Sequence, residues 1–149
     1  MSTKSILLVE GNLDDADLVL RALSTGRILG EVVVTHDGVE ALEYLFGVGA
    51  YAGRDLRAMP ACLLLGLKLP KLDGFEVLRR VRADPRTRLI PTIILTSSSE
   101  PQDIRAAYRL GANSYICKPV NFSLFSEALR QVGHYWLALN EAPLSEGSL

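Results

Sequence analysis

A chain of 149 residues with 48% hydrophobic content has the size of one domain with a full core and leaves no room for a second. Its 16 basic and 17 acidic side chains leave a net charge of −1, which gives no electrostatic footprint for nucleic acid. The two cysteines, Cys62 and Cys117, both fall in apolar strand-like runs; they read as reduced core thiols, which excludes a disulfide framework and points to the cytoplasm.

Short β-branched or leucine-rich runs alternate five times with longer helical periods, a pattern that predicts βα units around a parallel sheet. Met1-Ser2-Thr3-Lys4 leads straight into a first strand at 5–9, with neither a signal peptide nor a run long enough to span a bilayer. The first helix is expected over 13–23, with Asn12 as its cap and Asp14 and Asp15 on an exposed first turn, where they favour the helix dipole. A second strand at 31–35 precedes Asp37, which caps a helix carrying Val39, Leu42, Tyr44 and Leu45.

The connection 47–59, rich in Gly and Ala and holding Tyr51 and Arg54, is longer than most within a compact domain, and reads either as a contact surface or as a tolerated insertion. The third strand is expected at 61–65 and the third helix at 74–83, stopped by Asp84-Pro85 because a residue before proline avoids the α region. After the fourth strand, Ser99 and Gln102 have capping-box spacing around Pro101, and the helix they open ends at Leu110-Gly111. Beyond the fifth strand, a helix follows Asn121 with Phe122, Phe125, Leu129, Val132 and Trp136 repeating along one face. Residues 1–139 form the domain, and the polar stretch 140–149 is expected to be a frayed tail.

Open α/β sheets place their chemistry at the carboxyl ends of the strands. Here those ends deliver Glu10-Gly11 after strand one, Gly66 inside Leu63-Leu64-Leu65-Gly66-Leu67-Lys68-Leu69-Pro70, Thr96 followed by three serines, and Lys118-Pro119 after Ser114-Tyr115-Ile116-Cys117. Together with Leu69-Pro70 and Asp73-Gly74-Phe75-Glu76, this assembly resembles the receiver domain of two-component response regulators, over about residues 5 to 136. The resemblance implies a flavodoxin-like (βα)5 fold, doubly wound, with strand order 2-1-3-4-5. It also implies a phosphoryl transfer from a kinase histidine to a strand-three aspartate, assisted by magnesium, a threonine and a lysine.

Carried onto this chain, the signalling threonine is Thr96, the phosphate-binding lysine is Lys118, and the aromatic that changes rotamer on activation is Tyr115. The acidic pair becomes Glu10 and Gly11, the acceptor becomes Gly66, and the metal-binding carbonyl belongs to Lys68. Glycine can neither attack phosphorus nor bind a cation, so Glu10 alone is expected to face Lys118, pairing with it and recruiting no metal. The resemblance further implies a cis Lys118–Pro119 bond. The long loop before strand three and the ending His134-Tyr135-Trp136-Leu137 look like the single-domain regulators that partner bacterial phytochrome kinases.

Three readings follow. The first is a degenerate receiver with no catalytic residue, cofactor or attached output domain, which signals by protein contact with a sensor histidine kinase or another protein. It forms a homodimer through helix four, strand five and helix five, using Tyr108, Tyr115, Phe122 and Trp136. For Leu129 the core is favoured, and for Trp136 a contact. The second is a receiver that accepts phosphate at a non-standard residue. The third, a flavodoxin-like cofactor binder, fares poorly because Val9-Glu10-Gly11-Asn12 offers no glycine-rich phosphate cradle.

Overall fold

The computed structural model describes residues 4–25, 30–119 and 121–143. Five parallel strands, β1 (Lys4–Val9), β2 (Gly30–Thr35), β3 (Cys62–Leu65), β4 (Thr92–Thr96) and β5 (Ser114–Cys117), form one sheet in the order β2-β1-β3-β4-β5. They alternate with α1 (Leu13–Thr25), α2 (Gly38–Phe46), α3 (Gly74–Ala83), α4 (Pro101–Arg109) and α5 (Phe122–His134), which gives the flavodoxin-like, doubly wound fold expected from the sequence. The central strands are buried on both faces, which is why they read as unbroken apolar runs and not as alternating ones.

Side chains two apart on a strand share a face, and this divides the core in two. Leu7, Val9, Leu63, Leu65 and Ile94 pack under α2, α3 and α4, with Leu45, Val77, Leu78 and Ala107. Ile6, Leu8, Cys62, Leu64, Ile93 and Leu95 pack on the opposite face under α1 and α5, with Val19, Leu23, Phe125 and Leu129. Among the described residues no helix is long and apolar enough to cross a membrane.

The two caps read from the sequence form, Asn12 accepting from Asp15 N and Asp37 from Glu40 N, and Asp73 and Asn121 cap α3 and α5 in the same way, accepting from Glu76 N and Leu124 N. The cap read for α4 does not form. Glu100 occupies that position without a side-chain bond, and Ser98, not Ser99, closes the turn: its Oγ accepts from Glu100 N and donates to Asp103 Oδ2.

The connection 47–59 is folded onto the domain. Arg54 lies 4.1 Å over the Tyr44 ring and donates to Tyr44 O, while the Tyr51 hydroxyl donates to Glu40 Oε2 at 2.8 Å. Burial and that carboxylate push the Tyr51 hydroxyl up to about 12. The two polar side chains that suggested an outward surface therefore point inward.

At the far end, α5 widens into a π-helical turn over Tyr135–Leu139, closed by Asn140 N donating to Tyr135 O at 2.7 Å. The extra residue per turn brings both Trp136 and Leu137 against the core under α1 and α5. Trp136 is thus half-buried, with its edge against Tyr135, whereas Phe122, expected on the same apolar face, is largely exposed. Asn140 and residues 141–143 carry no regular structure, and 144–149, the rest of the expected tail, lie outside the described residues.

Candidate functional site

The strand order reverses between β1 and β3, so the crevice of this sheet opens at their carboxyl ends. Backbone pairing carries the chain just past the strands and fixes what stands there. Glu10 N donates to Thr35 O at 3.0 Å, Gly66 N to Val9 O at 2.9 Å, and Lys118 N to Thr96 O at 2.7 Å. Glu10, Gly11, Gly66, Thr96 and Lys118 are therefore brought to one end of the sheet, as their strand-end positions predict.

The Lys118 ammonium is the electrostatic centre. It donates to Glu10 Oε1 and, at 3.0 Å, to Asp15 Oδ2. Glu10 is only 5% exposed, so this ammonium is what permits a charged carboxylate at that depth. Burial alone would lower the Lys118 pKa; the hydrogen bonds and charges of Glu10 and Asp15 outweigh it, and the net shift is upward.

Asp15 corrects the expectation that Glu10 faces Lys118 alone. Asn12 Oδ1 caps α1 by accepting from Asp15 N at 2.9 Å, which turns this carboxylate over the strand ends. Its neighbour Asp14 is roughly 100° away around the helix axis. In sequence the two look alike, because either is an ordinary acid in a first helical turn.

The glycines differ in how much space they leave. A Cβ at Gly66 would meet Val9 O at 3.3 Å, Leu69 Cδ2 at 3.4 Å and Glu10 Oε2 at 3.6 Å, so a side chain fits there with a small adjustment. At Gly11 a Cβ would lie 2.7 Å from Pro70 Cδ, and the proline would have to move. At Gly74 it would lie 2.0 Å from Gly66 O, so only glycine lets α3 start against the end of β3.

Both loops that flank the crevice are tightly bent. Leu72 N donates to Pro70 O at 2.7 Å in a γ-turn centred on Lys71, whose φ of 67° is the one left-handed value at a non-glycine among the described residues. Across the crevice, Ser98 gathers the loop after β4. Its carbonyl accepts from the Tyr115 hydroxyl at 2.9 Å and from Cys117 Sγ at 3.1 Å, its amide donates to Thr96 Oγ1, and its hydroxyl donates to Asp103. Burial raises the Tyr115 pKa, helped by the Asp103 charge and partly opposed by the bond to Ser98.

Nothing in the sequence distinguished Ser98 from its two serine neighbours. Cys117 is also a correction: it ends an edge strand and is exposed, whereas Cys62 is buried as expected. The Lys118–Pro119 bond is trans, since no peptide bond among the described residues is cis.

Between the loops lies an open cleft of about 690 Å³, bordered by Gly11, Leu69, Asp73, Phe75, Thr96 and Asp103. Tyr108 and Phe122, each 49% exposed, stand outside it on α4 and at the start of α5. Among the described residues no three His, Cys, Asp or Glu side chains are grouped to hold a metal ion. The two acids nearest the strand ends are both turned onto an ammonium.

A parallel five-stranded α/β sheet with an acid, a threonine and a lysine at its strand ends defines a class, and comparison with known proteins places the chain in it. The chain belongs to the response regulator receiver domain family, whose model matches residues 6–130. It is 35% identical over 134 residues to the response regulator Rcp1 of Synechocystis, covering 90% of this chain and 89% of that protein. A crystal structure of a phosphorylated cyanobacterial phytochrome response regulator, RcpA, aligns with a TM-score of 0.87 and 37% identity, over 95% of this chain and 99% of the other. The bacteriophytochrome response regulator AtBRR is 46% identical, with a TM-score of 0.76, over 95% of this chain and all (100%) of that one.

Proposed function

We propose that this receiver takes part in two-component signalling by docking, without an aspartyl phosphate and without a resident magnesium ion. Gly66 stands where the family resemblance puts the acceptor aspartate, and Gly11 where it puts one of the two acids after β1. The observation that carries the reading is the state of Lys118: its ammonium is already engaged by Glu10 and Asp15, and Gly66, directly after β3, supplies no carboxylate. Divalent hard cations require several oxygen ligands in defined geometry. Two carboxylates already tied to an ammonium are a poor donor set, and no step is assigned to a metal here.

On this account Thr96 and Tyr115 hold one loop conformation, through Ser98, instead of switching between two. The partner is a sensor histidine kinase of the phytochrome type, an inference supported by the resemblance to RcpA and AtBRR. The half-exposed Tyr108 and Phe122 belong to the surface formed by α4, β5 and α5, on which a homodimer is proposed, with Tyr115 beneath it and Trp136 contributing only its outer edge. Cytoplasmic location, with no nucleic acid, membrane or cofactor, completes the proposal.

The competing reading, phosphoryl transfer to another residue, has one observation in its favour. The Ser98 hydroxyl lies 2.6 Å from Asp103 Oδ2, within reach of a base. A phosphoryl group there would sit beside that same carboxylate, which disfavours it.

The test is incubation with a bacteriophytochrome kinase autophosphorylated from γ-labelled ATP, with complex formation followed in parallel. Complex formation with all the label retained on the kinase is expected. Label appearing covalently on this chain contradicts the proposal.

A further inference from the structure

The segment 67–73, between β3 and α3, lies across the ends of neighbouring strands, seated on bare backbone. A Cβ at Gly11, just after β1, would stand 2.7 Å from Pro70 Cδ. One at Gly38, which opens α2 after β2, would stand only 2.1 Å from Leu72 O, a backbone atom that has no rotamer to give way. The middle of the segment therefore lies down because these two positions carry no side chain.

Its ends are fixed and its middle is strained. Gly74 N donates to Leu67 O at 2.8 Å, and Asp73 caps α3. Between them Lys71 holds a φ of 67°, which a lysine keeps only where its surroundings enforce it. The enforcing polar contacts are slight: Gly38 N reaches Pro70 O at 3.4 Å, and Lys71 pairs with Asp37 at 3.6 Å with its side chain 66% exposed. Leu69 and Leu72 add only partial burial against the core.

We infer that residues 68–72 form a strap that rests closed over the switch point of the sheet and opens as a unit. Lys68, Leu69 and Pro70 border the cleft, so opening moves its positive charge and part of its apolar wall together. On this account Gly11 has a use of its own, as the surface on which Pro70 lies. The strap concerns the resting shape of the site and does not depend on the docking reading. A partner opens it only so far as it binds the open form better than the closed one.

The test is native-state hydrogen exchange, read by NMR on the full chain. Two reporters share one acceptor, since the amides of Leu72 and Gly38 both donate to Pro70 O. The Leu63 amide, bonded to Pro91 O at 2.8 Å, reports opening of the sheet. Gly11→Ala and Gly38→Ala are each expected to speed exchange at Leu72 and residue 38 together, at least tenfold, with the Leu63 rate unchanged. Alanine is a good helix former, so α2 still starts at position 38. Lys71→Gly removes the strain without adding bulk; it is expected to slow both reporters about threefold, and it keeps the test open should an alanine variant fail to fold.

Reporters that respond independently of each other, a Leu63 rate that changes by the same factor, or unchanged rates in the variants overturn the inference. None of these outcomes bears on phosphate-free docking, which fails only when label is transferred to the chain.

Discussion

At the level of single residues, Lys118 ties the crevice together. Replacing it with methionine strands Glu10, 5% exposed, without its counter-charge, and is expected to cost roughly 2–4 kcal/mol in denaturant unfolding. The sign with pH follows from the raised Lys118 pKa. A group whose folded pKa is raised stabilises fully below its unfolded value, about 10.4 for lysine, and loses that contribution as pH rises through the higher folded value. The stability gap between the parent and Lys118→Met should therefore be level across neutral and mildly alkaline pH and narrow only above about pH 10.4. A gap that closes near pH 8 contradicts the assignment.

Gly66 and Gly11 give contrasting predictions. Gly66→Asp has room for its Cβ, but it sets a second carboxylate beside Glu10. It should lower Tm in chelator and recover on addition of manganese, while the parent shows no such recovery. Gly11→Asp drives its Cβ against Pro70 and should destabilise by about 1–3 kcal/mol, whatever cation is added. The residues at the strand ends were legible because strand ends are legible. Asp15 and Ser98 were not, because which member of an Asp-Asp pair or a serine run turns inward depends on the rotation of a helix or loop, not on residue type.

At the level of elements, the strands followed from apolar runs, and two caps followed from Asn12 and Asp37. What the pattern misjudged lay at margins. Cys117 has the apolar neighbours of a core residue, yet it ends an edge strand that only β4 covers. Burial pushes the Cys62 thiol up to about 12, so the native protein should show one thiol that reacts promptly with a disulfide reagent and a second that reacts only on unfolding. Two prompt thiols contradict the burial of β3.

Helix α3 holds a second element invisible to periodicity. Arg82 sits on a charged helix but donates to Gly111 O, Ile90 O and Asn113 Oδ1, stitching α3 to the ends of β4 and α4. Arg82→Lys, keeping charge but losing the fork, is expected to cost about 1–3 kcal/mol in chemical denaturation. The π-helical turn after α5 escaped for the same reason: a period of 3.6 puts Trp136 on the apolar face, but it cannot foresee the widening that packs Trp136 against the core and also buries Leu137.

At the level of the whole molecule, the receiver fold is kept, and on the proposed reading the nucleophile that the family resemblance puts at position 66 is replaced by glycine. Sheet order, the crevice at the switch point and the lysine all remain. At that crevice the Lys118 ammonium is shared between the Glu10 and Asp15 carboxylates. On the proposed reading such a site needs no phosphodonor to reach its resting arrangement.

The central claim is tested most directly by intact-mass spectrometry after incubation with a small acyl phosphate and magnesium. The account predicts an unchanged mass for this chain. A stable or transient gain of one phosphoryl group on the parent protein contradicts it.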